Sequence, residues 1–174
     1  RSTQGGSSAA SDGYKRQGYA RGLAEEGANV VVADLNDEAG EKVAADIGGL
    51  YVHTDVSDPE SAEALAAATD ACYGTIHGLV NNAAIYGGMK LDFLITVPWD
   101  YYKKFMSVNL DGALAVTRAV YPHMKAGGSI VNQSSTAAYL YSGYYGLSKA
   151  GINNLTFQLA NELGCNNMRV NAIA

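Results

Sequence analysis

The chain has 174 residues, of which 48% are hydrophobic and 17% are charged, and this composition predicts one globular domain over residues 1–174. The net charge of −5 provides no basic surface, so we expect no nucleic-acid partner. We also expect no membrane partner, because no apolar run approaches the roughly 20 residues of a membrane span. Cys72 and Cys165 are isolated, which favours a reducing, cytoplasmic setting, and the three histidines lack the spacing of metal ligands, so we predict no metal.

The order of predicted elements indicates an α/β fold. Residues 1–13 are rich in glycine and serine and predict an irregular segment. Hydrophobic periodicity and capping residues predict helices over 14–26, 37–47, 57–72, 99–125 and 144–163. Short apolar runs predict strands over 29–34, 50–53, 76–80, 129–134 and 168–174, and residues 83–98 read as a loop. Strands that alternate with helices predict a parallel sheet covered on both faces, with ligands at the carboxyl ends of the strands.

Tyr145 and Lys149 are the strongest candidates for chemistry. They lie four residues apart in a predicted helix, so they are neighbours on one face of it. A phenol has a pKa of about 10, and a lysine cation held close to it favours the phenolate. At about 4 Å and an effective dielectric of about 20, the attraction is on the order of 4 kcal/mol, or roughly 3 pKa units. Such a shift would let the phenol exchange protons with an alcohol or a carbonyl group.

The spacing alone leaves an ordinary exposed pair open as an alternative. Tyr86 has Lys90 four residues later, and Tyr121 has Lys125. Of the three tyrosines, only Tyr145 follows a strand that ends in two serines, and a serine hydroxyl there could hold a substrate oxygen. That context favours the catalytic interpretation of Tyr145 and the ordinary one for the other two.

Four motifs extend this interpretation. LVNNAA at 79–84, SVNLDG at 107–112, SIVNQSS at 129–135 and YGLSK at 145–149 resemble, in order and spacing, the short-chain dehydrogenase/reductase family, and within it the oxoacyl-reductase and alcohol-dehydrogenase types. The resemblance covers residues 19–174 and implies a Rossmann-like doubly wound fold in a single domain. It implies that Tyr145 is the general acid/base, that Lys149 lowers its pKa and binds the nicotinamide ribose, and that Ser135 holds the substrate oxygen. Asn109 would hold a water beside the lysine, although an ordinary polar residue on a helix face is the alternative.

The resemblance also implies a cofactor site for NAD. Asp34 closes a predicted strand, where an acid would accept hydrogen bonds from the adenosine ribose and repel a 2′-phosphate. Asp55 and Val56 match the pair that contacts adenine, and Asn82 matches the residue that braces the cofactor. Each of these polar residues could instead be an ordinary turn or capping residue at a strand end.

The phosphate loop departs from the family pattern. The positions that match its three glycines are occupied by Ala10, Tyr14 and Arg16, and Gly13 lies one position early. A side chain at 14 and the charge of Asp12 should hinder the approach of a pyrophosphate to a helix N-terminus, so we expect weak NAD(H) binding. Two alternatives therefore stay open. The chain could be a non-catalytic or fragmentary protein of this fold, or it could use NADP through Lys15 and Arg16.

The end of the sequence and two side-chain groups give further expectations. RVNAIA at 169–174 is followed in the family by a substrate-covering segment, so we expect the C-terminal part of the fold to be missing from this chain. Apolar residues at helical spacing from Ile152 to Leu163 could mediate a homo-oligomer, a tetramer or a dimer, or could face their own sheet. Tyr139, Tyr141 and Tyr144 could line a pocket for a bulky ring or form an exposed loop.

Overall fold

The computed structural model describes residues 17–90 and 92–174. Five strands are present there: Val31–Asp34 (β1), Leu50–His53 (β2), Ile76–Asn81 (β3), Met124–Gln133 (β4) and Arg169–Ile173 (β5). The α-helices in the same residues are 17–25 (α1), Asp37–Ile47 (α2), Pro59–Tyr73 (α3), Trp99–Met106 (α4), Gly112–Val120 (α5) and Gly143–Leu163 (α6). A π-helical turn, Ser107–Asp111, joins α4 to α5, and 3₁₀ turns cover Tyr121–His123, Thr136–Tyr139 and Gly164–Asn166.

All strand pairs in these residues are parallel, as predicted. β1 pairs with β2, and β3, β4 and β5 form a second sheet in that order. The described strands therefore form two sheets instead of one. The residues ahead of 17 lie outside the described ranges.

Helices cover both faces of the sheets. In β1, Val32 packs with residues of α1 and α2, whereas Val31 and Ala33 pack against the cluster formed by α3 and α5. Successive side chains of a strand point to opposite faces, so these helices lie on opposite sides of the sheet. In the second sheet, Ile130 packs with Leu159 of α6. The predicted α/β architecture with a doubly wound parallel sheet is confirmed.

Local signals set the limits of the first helices. Asn36 caps α2 through its side-chain oxygen, which accepts a hydrogen bond from the amide of Ala39, and Gly48 ends the helix at φ 65°. α3 begins with Asp58 as its cap and Pro59 in its first turn. These capping signals lie next to the helix ends in the sequence.

The predicted helix over 99–125 is wrong in its interior and at its end. A π-helical turn interrupts it at Ser107–Asp111, and a 3₁₀ turn that contains Pro122 ends it. Proline lacks the amide hydrogen that would continue the helix. Strand β4 then starts at Met124 and pairs with Ile76, but the next paired residue is Ser129, opposite Gly78. Residues 125–128 are therefore accommodated as an irregularity in the strand.

The apolar stripe of α6 faces its own sheet. Ile152, Leu159 and Leu163 are buried, and the two leucines belong to the cluster that contains Ile130. Of the two interpretations of this stripe, the internal one is therefore correct. Phe157 and Leu147 on the same helix are exposed.

A network of side-chain hydrogen bonds connects the carboxyl ends of β3 and β4. Asn81 donates its side-chain amide to the Oδ1 atom of Asn132, at 2.8 Å, and to the hydroxyl of Thr117 on α5, at 3.1 Å. Asn132 in turn donates to Thr156 of α6, at 2.9 Å. Because these groups are desolvated, losing one partner would leave an unsatisfied donor or acceptor at a cost of about 1–3 kcal/mol. The network fixes the strand ends from which the candidate site residues emerge.

Candidate active site

Helix α6 places Tyr145 and Lys149 beside each other. The Lys149 ammonium lies 5.8 Å from the centre of the Tyr145 ring. Only 3% of Lys149 is exposed, and its Nζ donates a hydrogen bond of 2.8 Å to the main-chain carbonyl of Gln133 at the end of β4. A buried cation needs such a partner, because an unpaired charge costs several kcal/mol to bury. The strand end thus fixes the cation next to the phenol.

The two serines after β4 have different surroundings. Ser134 is buried, its amide donates to the carbonyl of Ile173, and its hydroxyl bonds to Asn153 at 2.5 Å. Ser134 therefore ties β4 to β5 and α6. Ser135 is half-buried and begins the 3₁₀ turn at Thr136–Tyr139, where its hydroxyl accepts the amide of Ala137 at 3.2 Å.

A close backbone approach brings that turn against the start of α6. A Cβ atom on Gly146 would lie 2.7 Å from the carbonyl oxygen of Ala137 and 3.1 Å from the Cβ of Ser142. Only a residue without a side chain allows this contact. Gly146 follows Tyr145 directly, so the turn that begins with Ser135 packs next to the catalytic candidate.

Asn109 lies within the π-helical turn and is 2% exposed. Its side chain bonds to both main-chain polar groups of Ile85. The Oδ1 atom accepts the Ile85 amide at 2.7 Å, and the Nδ2 atom donates to the Ile85 carbonyl at 3.0 Å. Single π-turns often occur at functional sites. Asn109 therefore fixes the chain after β3, and its role in holding a water stays a prediction.

The candidate cofactor residues lie at the carboxyl ends of β1, β2 and β3. Asp34 is half-buried, and its Oδ1 atom accepts the amide of Asn36 at 2.8 Å. Asn36, and not Asp34, caps the helix that follows. Asn82 is half-buried and directly follows β3. These strand ends belong to the edge at which doubly wound folds bind ligands.

Asp55 has a defined local role. Its Oδ1 atom accepts the hydroxyl of Ser57 at 2.6 Å and the amide of Ser57 at 2.9 Å. The side-chain hydrogen bond from Ser57, followed by the main-chain one, lowers the pKa of Asp55. Val56 packs closely on α5, where a Cβ on Gly112 would lie 2.8 Å from its Cγ2 atom. The pair is thus held firmly, and its contact with adenine stays a prediction.

Gly13 lies outside the described residues, as do Asp12, Tyr14, Lys15 and Arg16. The prediction for the phosphate loop is therefore left as it stands. Within residues 17–90 and 92–174, no group of three or more potential ligand side chains could hold a metal ion. No helix in the same ranges combines the length and the apolar character needed to cross a bilayer.

Two tyrosines contribute in ways that sequence reasoning missed. Tyr86 places its ring centre 4.9 Å from that of Tyr145, although its spacing from Lys90 had favoured an ordinary exposed pair. Tyr144 is 1% exposed and packs edge-to-face on Phe105, so a pocket-lining role for it is wrong. The hydrophobic periodicity of the sequence does not indicate which of the two adjacent tyrosines, Tyr144 or Tyr145, is buried in the core. By contrast, Tyr139 and Tyr141 are exposed.

A family model and several known proteins match this chain. The family model described as enoyl-(acyl carrier protein) reductase matches residues 17–174. An uncharacterized oxidoreductase of Mycobacterium tuberculosis is 61% identical over 165 residues, which cover 91% of this chain and 66% of the relative. The trans-4-hydroxycyclohexanecarboxylate dehydrogenase of Sinomonas cyclohexanicum is 35% identical over 170 residues, with 89% of this chain and 64% of the relative covered. The chain thus spans slightly less than two thirds of the length of these relatives.

A solved structure supports the same fold. A mutant of a short-chain dehydrogenase/reductase from Serratia marcescens superposes with a TM-score of 0.83 at 26% sequence identity. The superposition covers 90% of this chain and 66% of that one.

Proposed function

This chain belongs to the short-chain dehydrogenase/reductase family, and we propose that its protein transfers a hydride between NAD(H) and a secondary alcohol or ketone. The observation that carries the proposal is the pairing of Tyr145 with the buried cation of Lys149 at the end of β4. A 3-oxoacyl-type substrate belongs to the same reaction class. The proposed activity is that of the whole protein. This chain spans about two thirds of the length of its relatives.

In this mechanism, Tyr145 exchanges the proton of the substrate oxygen. As an alcohol is oxidised, the phenolate oxygen accepts the hydroxyl proton, and in reduction the phenol donates it. Lys149 stabilises the phenolate and is itself held by the Gln133 carbonyl. Ser135 holds the substrate oxygen from the adjoining turn. NAD(H), when bound, accepts or supplies the hydride.

The residues at the strand ends fit a dinucleotide. Asp34 presents a partly exposed carboxylate at the end of β1, oriented by the Asn36 amide, where it can accept hydrogen bonds from ribose hydroxyls. The same charge opposes a 2′-phosphate, which favours NAD over NADP. Asp55, Val56 and Asn82 would hold the adenine and the neighbouring part of the cofactor. Gly13, Tyr145 and Lys149 complete the proposed cofactor contacts.

The proposed reaction and the names of two relatives indicate the class of substrate. The Sinomonas protein is named for a hydroxyl group on a cyclohexane ring, and another relative, 36% identical, is named for a hydroxysteroid. Both names describe secondary alcohols. We therefore propose a small-molecule alcohol or ketone as the substrate.

Assembly and location complete the proposal. Phe157 and Leu147 leave apolar surface exposed on α6, and we propose that a homo-oligomer, a tetramer or a dimer, covers it. Cys72 and Cys165 are both free thiols, in keeping with a reducing compartment, so we place the protein in the cytoplasm.

The test compares Tyr145→Phe with the parent protein. Initial rates of NADH formation from a secondary alcohol are measured at saturating NAD. Loss of the hydroxyl should lower kcat at least about 100-fold, because general acid–base catalysis contributes on the order of 10²–10⁴. The matched control, Tyr121→Phe, removes a hydroxyl that accepts a hydrogen bond from Asn166 and should leave kcat unchanged. Equal kcat in the parent and in Tyr145→Phe would reject the proposed role of Tyr145.

A second candidate, a non-catalytic protein of the same fold, is favoured by Ala10, Tyr14 and Arg16, which stand where the family's phosphate loop has glycines. A titration with NADH and NADPH separates the candidates. Binding of NADH supports the enzyme, and tighter binding of NADPH would favour an NADP-dependent reductase. No binding of either would favour the non-catalytic protein.

A further inference from the structure

The ring of Tyr86 lies against the ring of Tyr145. Their centres are 4.9 Å apart and their planes meet at 50°, which is a tilted aromatic contact. Tyr86 nevertheless remains 44% exposed. Part of an aromatic side chain is therefore open to solvent directly beside the residue that we assign to proton exchange.

The segment that carries Tyr86 is fixed at both ends. Directly before it, the two main-chain polar groups of Ile85 bond to the side chain of the buried Asn109. Four residues after it, the amide of Lys90 donates to the hydroxyl of Tyr101 at 3.1 Å, and the Lys90 carbonyl accepts the hydroxyl of Tyr144. Side chains thus anchor both ends of a short loop, whose interior is closed by a hydrogen bond from the Met89 amide to the Tyr86 carbonyl.

The anchors at Lys90 are themselves rigid. Tyr144 is buried and packs edge-to-face on Phe105, with ring centres 4.7 Å apart, and on Tyr101, at 6.1 Å. Phe105 is fully buried. Tyr144 also precedes Tyr145 in α6, so the same packed aromatic residues contact both the loop of Tyr86 and the start of α6. These contacts hold the backbone of the Tyr86 loop beside Tyr145.

We propose that Tyr86 determines substrate specificity by forming an apolar wall beside Tyr145, which selects alcohols whose hydroxyl-bearing carbon belongs to a saturated ring. This inference rests on the proposed dehydrogenase function. A saturated ring lays one broad face of C–H groups on the aromatic surface and has few torsions to freeze on binding. An open-chain alcohol of equal size buries less area on that surface and loses more conformational freedom.

The test uses two secondary alcohols with six carbons each, cyclohexanol and 3-hexanol. Initial rates with NAD are measured for the parent, Tyr86→Ala, Tyr86→Phe and a distant control, Tyr121→Ala. For the parent we expect kcat/KM to be about three- to tenfold higher for cyclohexanol, the range that one aromatic contact supplies. Tyr86→Ala should lower the ratio of the two kcat/KM values to about one, chiefly by raising KM for cyclohexanol. Tyr86→Phe keeps the ring and should keep the ratio, as should Tyr121→Ala.

Three results would overturn the inference. Equal kcat/KM for both alcohols in the parent would remove the ring preference and leave the dehydrogenase function standing. An equal fall in kcat for both alcohols in Tyr86→Ala would show that Tyr86 only positions Tyr145. No oxidation of either alcohol by the parent, with NAD or with NADP, would reject the proposed function and this inference with it. If thermal melting shows that Tyr86→Ala is unfolded, Tyr86→Leu, which is apolar but not flat, must abolish the ratio instead.

Discussion

Gly146→Ala should damage activity more than stability. The added Cβ would lie 2.7 Å from the Ala137 carbonyl oxygen, 3.1 Å from the Cβ of Ser142 and 3.4 Å from the carbonyl of Leu140. Two of these three neighbours are main-chain oxygens, so relief requires the backbone to move. Overpacking of this kind costs about 1–3 kcal/mol, and alanine regains about 1 kcal/mol of helix propensity over glycine. The net loss of unfolding free energy should therefore be about 0–2 kcal/mol.

The effect on catalysis should be larger, because the backbone that must move carries Ser135. A displacement near 1 Å of a catalytic group can cost about 100-fold in rate. We expect kcat to fall by about 10- to 100-fold, measured as NADH formation, with stability measured by urea unfolding. Gly164→Ala is the control, since a Cβ there meets nothing within 4 Å and the residue has helical dihedral angles. If Gly146→Ala keeps both the stability and the kcat of the parent, the reasoning from the close contact is refuted.

Three further changes test other parts of the structure. Burial, with Tyr101 nearby, raises the pKa of Tyr144 to about 12 from 10.0, so the folded state keeps a proton that the unfolded state loses. The contribution of Tyr144 to the free energy of unfolding is complete below pH 10 and falls between pH 10 and about 12. The urea midpoint of the parent should therefore decrease over this pH range more steeply than that of Tyr144→Phe. Equal decreases in the two proteins would contradict this. Asp34→Ala should narrow the preference for NADH over NADPH in a binding titration, whereas equal affinities in the parent would refute the role of Asp34. Phe157→Glu should shift an oligomer toward monomers in light scattering, and a parent that is already monomeric above micromolar concentration would refute the assembly.

The sequence predicted the elements whose limits are set locally. Helix α2 matches its prediction because Asn36 begins it with a side-chain cap and Gly48 ends it with a left-handed conformation. The prediction for 99–125 missed the π-helical turn, which contains Asn109 bonded to Ile85, a residue 24 positions earlier. The irregular start of β4 likewise depends on its pairing with β3. Features that arise from contacts between distant segments leave no periodic signal in the sequence.

In the candidate site, too, contacts within neighbouring segments were predictable and contacts between distant segments were not. Tyr145 and Lys149 were predictable because a single helix turn and a preceding strand end bring them together. The contact of Tyr86 with Tyr145 was not predictable, because it joins segments 59 residues apart through a loop without regular structure. Asn81 also lies in a recognised motif, but only the structure shows its hydrogen bonds to Asn132 and Thr117.

The central claim is that hydride moves from the carbinol carbon of a secondary alcohol to NAD with Tyr145 taking the proton. The most direct measurement incubates the protein with NAD and cyclohexanol or 3-hexanol deuterated at the carbinol carbon, and then determines the mass of the reduced cofactor. The account predicts deuterium in the NADH formed by the parent with at least one of the two alcohols, and only background formation by Tyr145→Phe. Unlabelled NADH from the parent, or equal labelling by Tyr145→Phe, would contradict it.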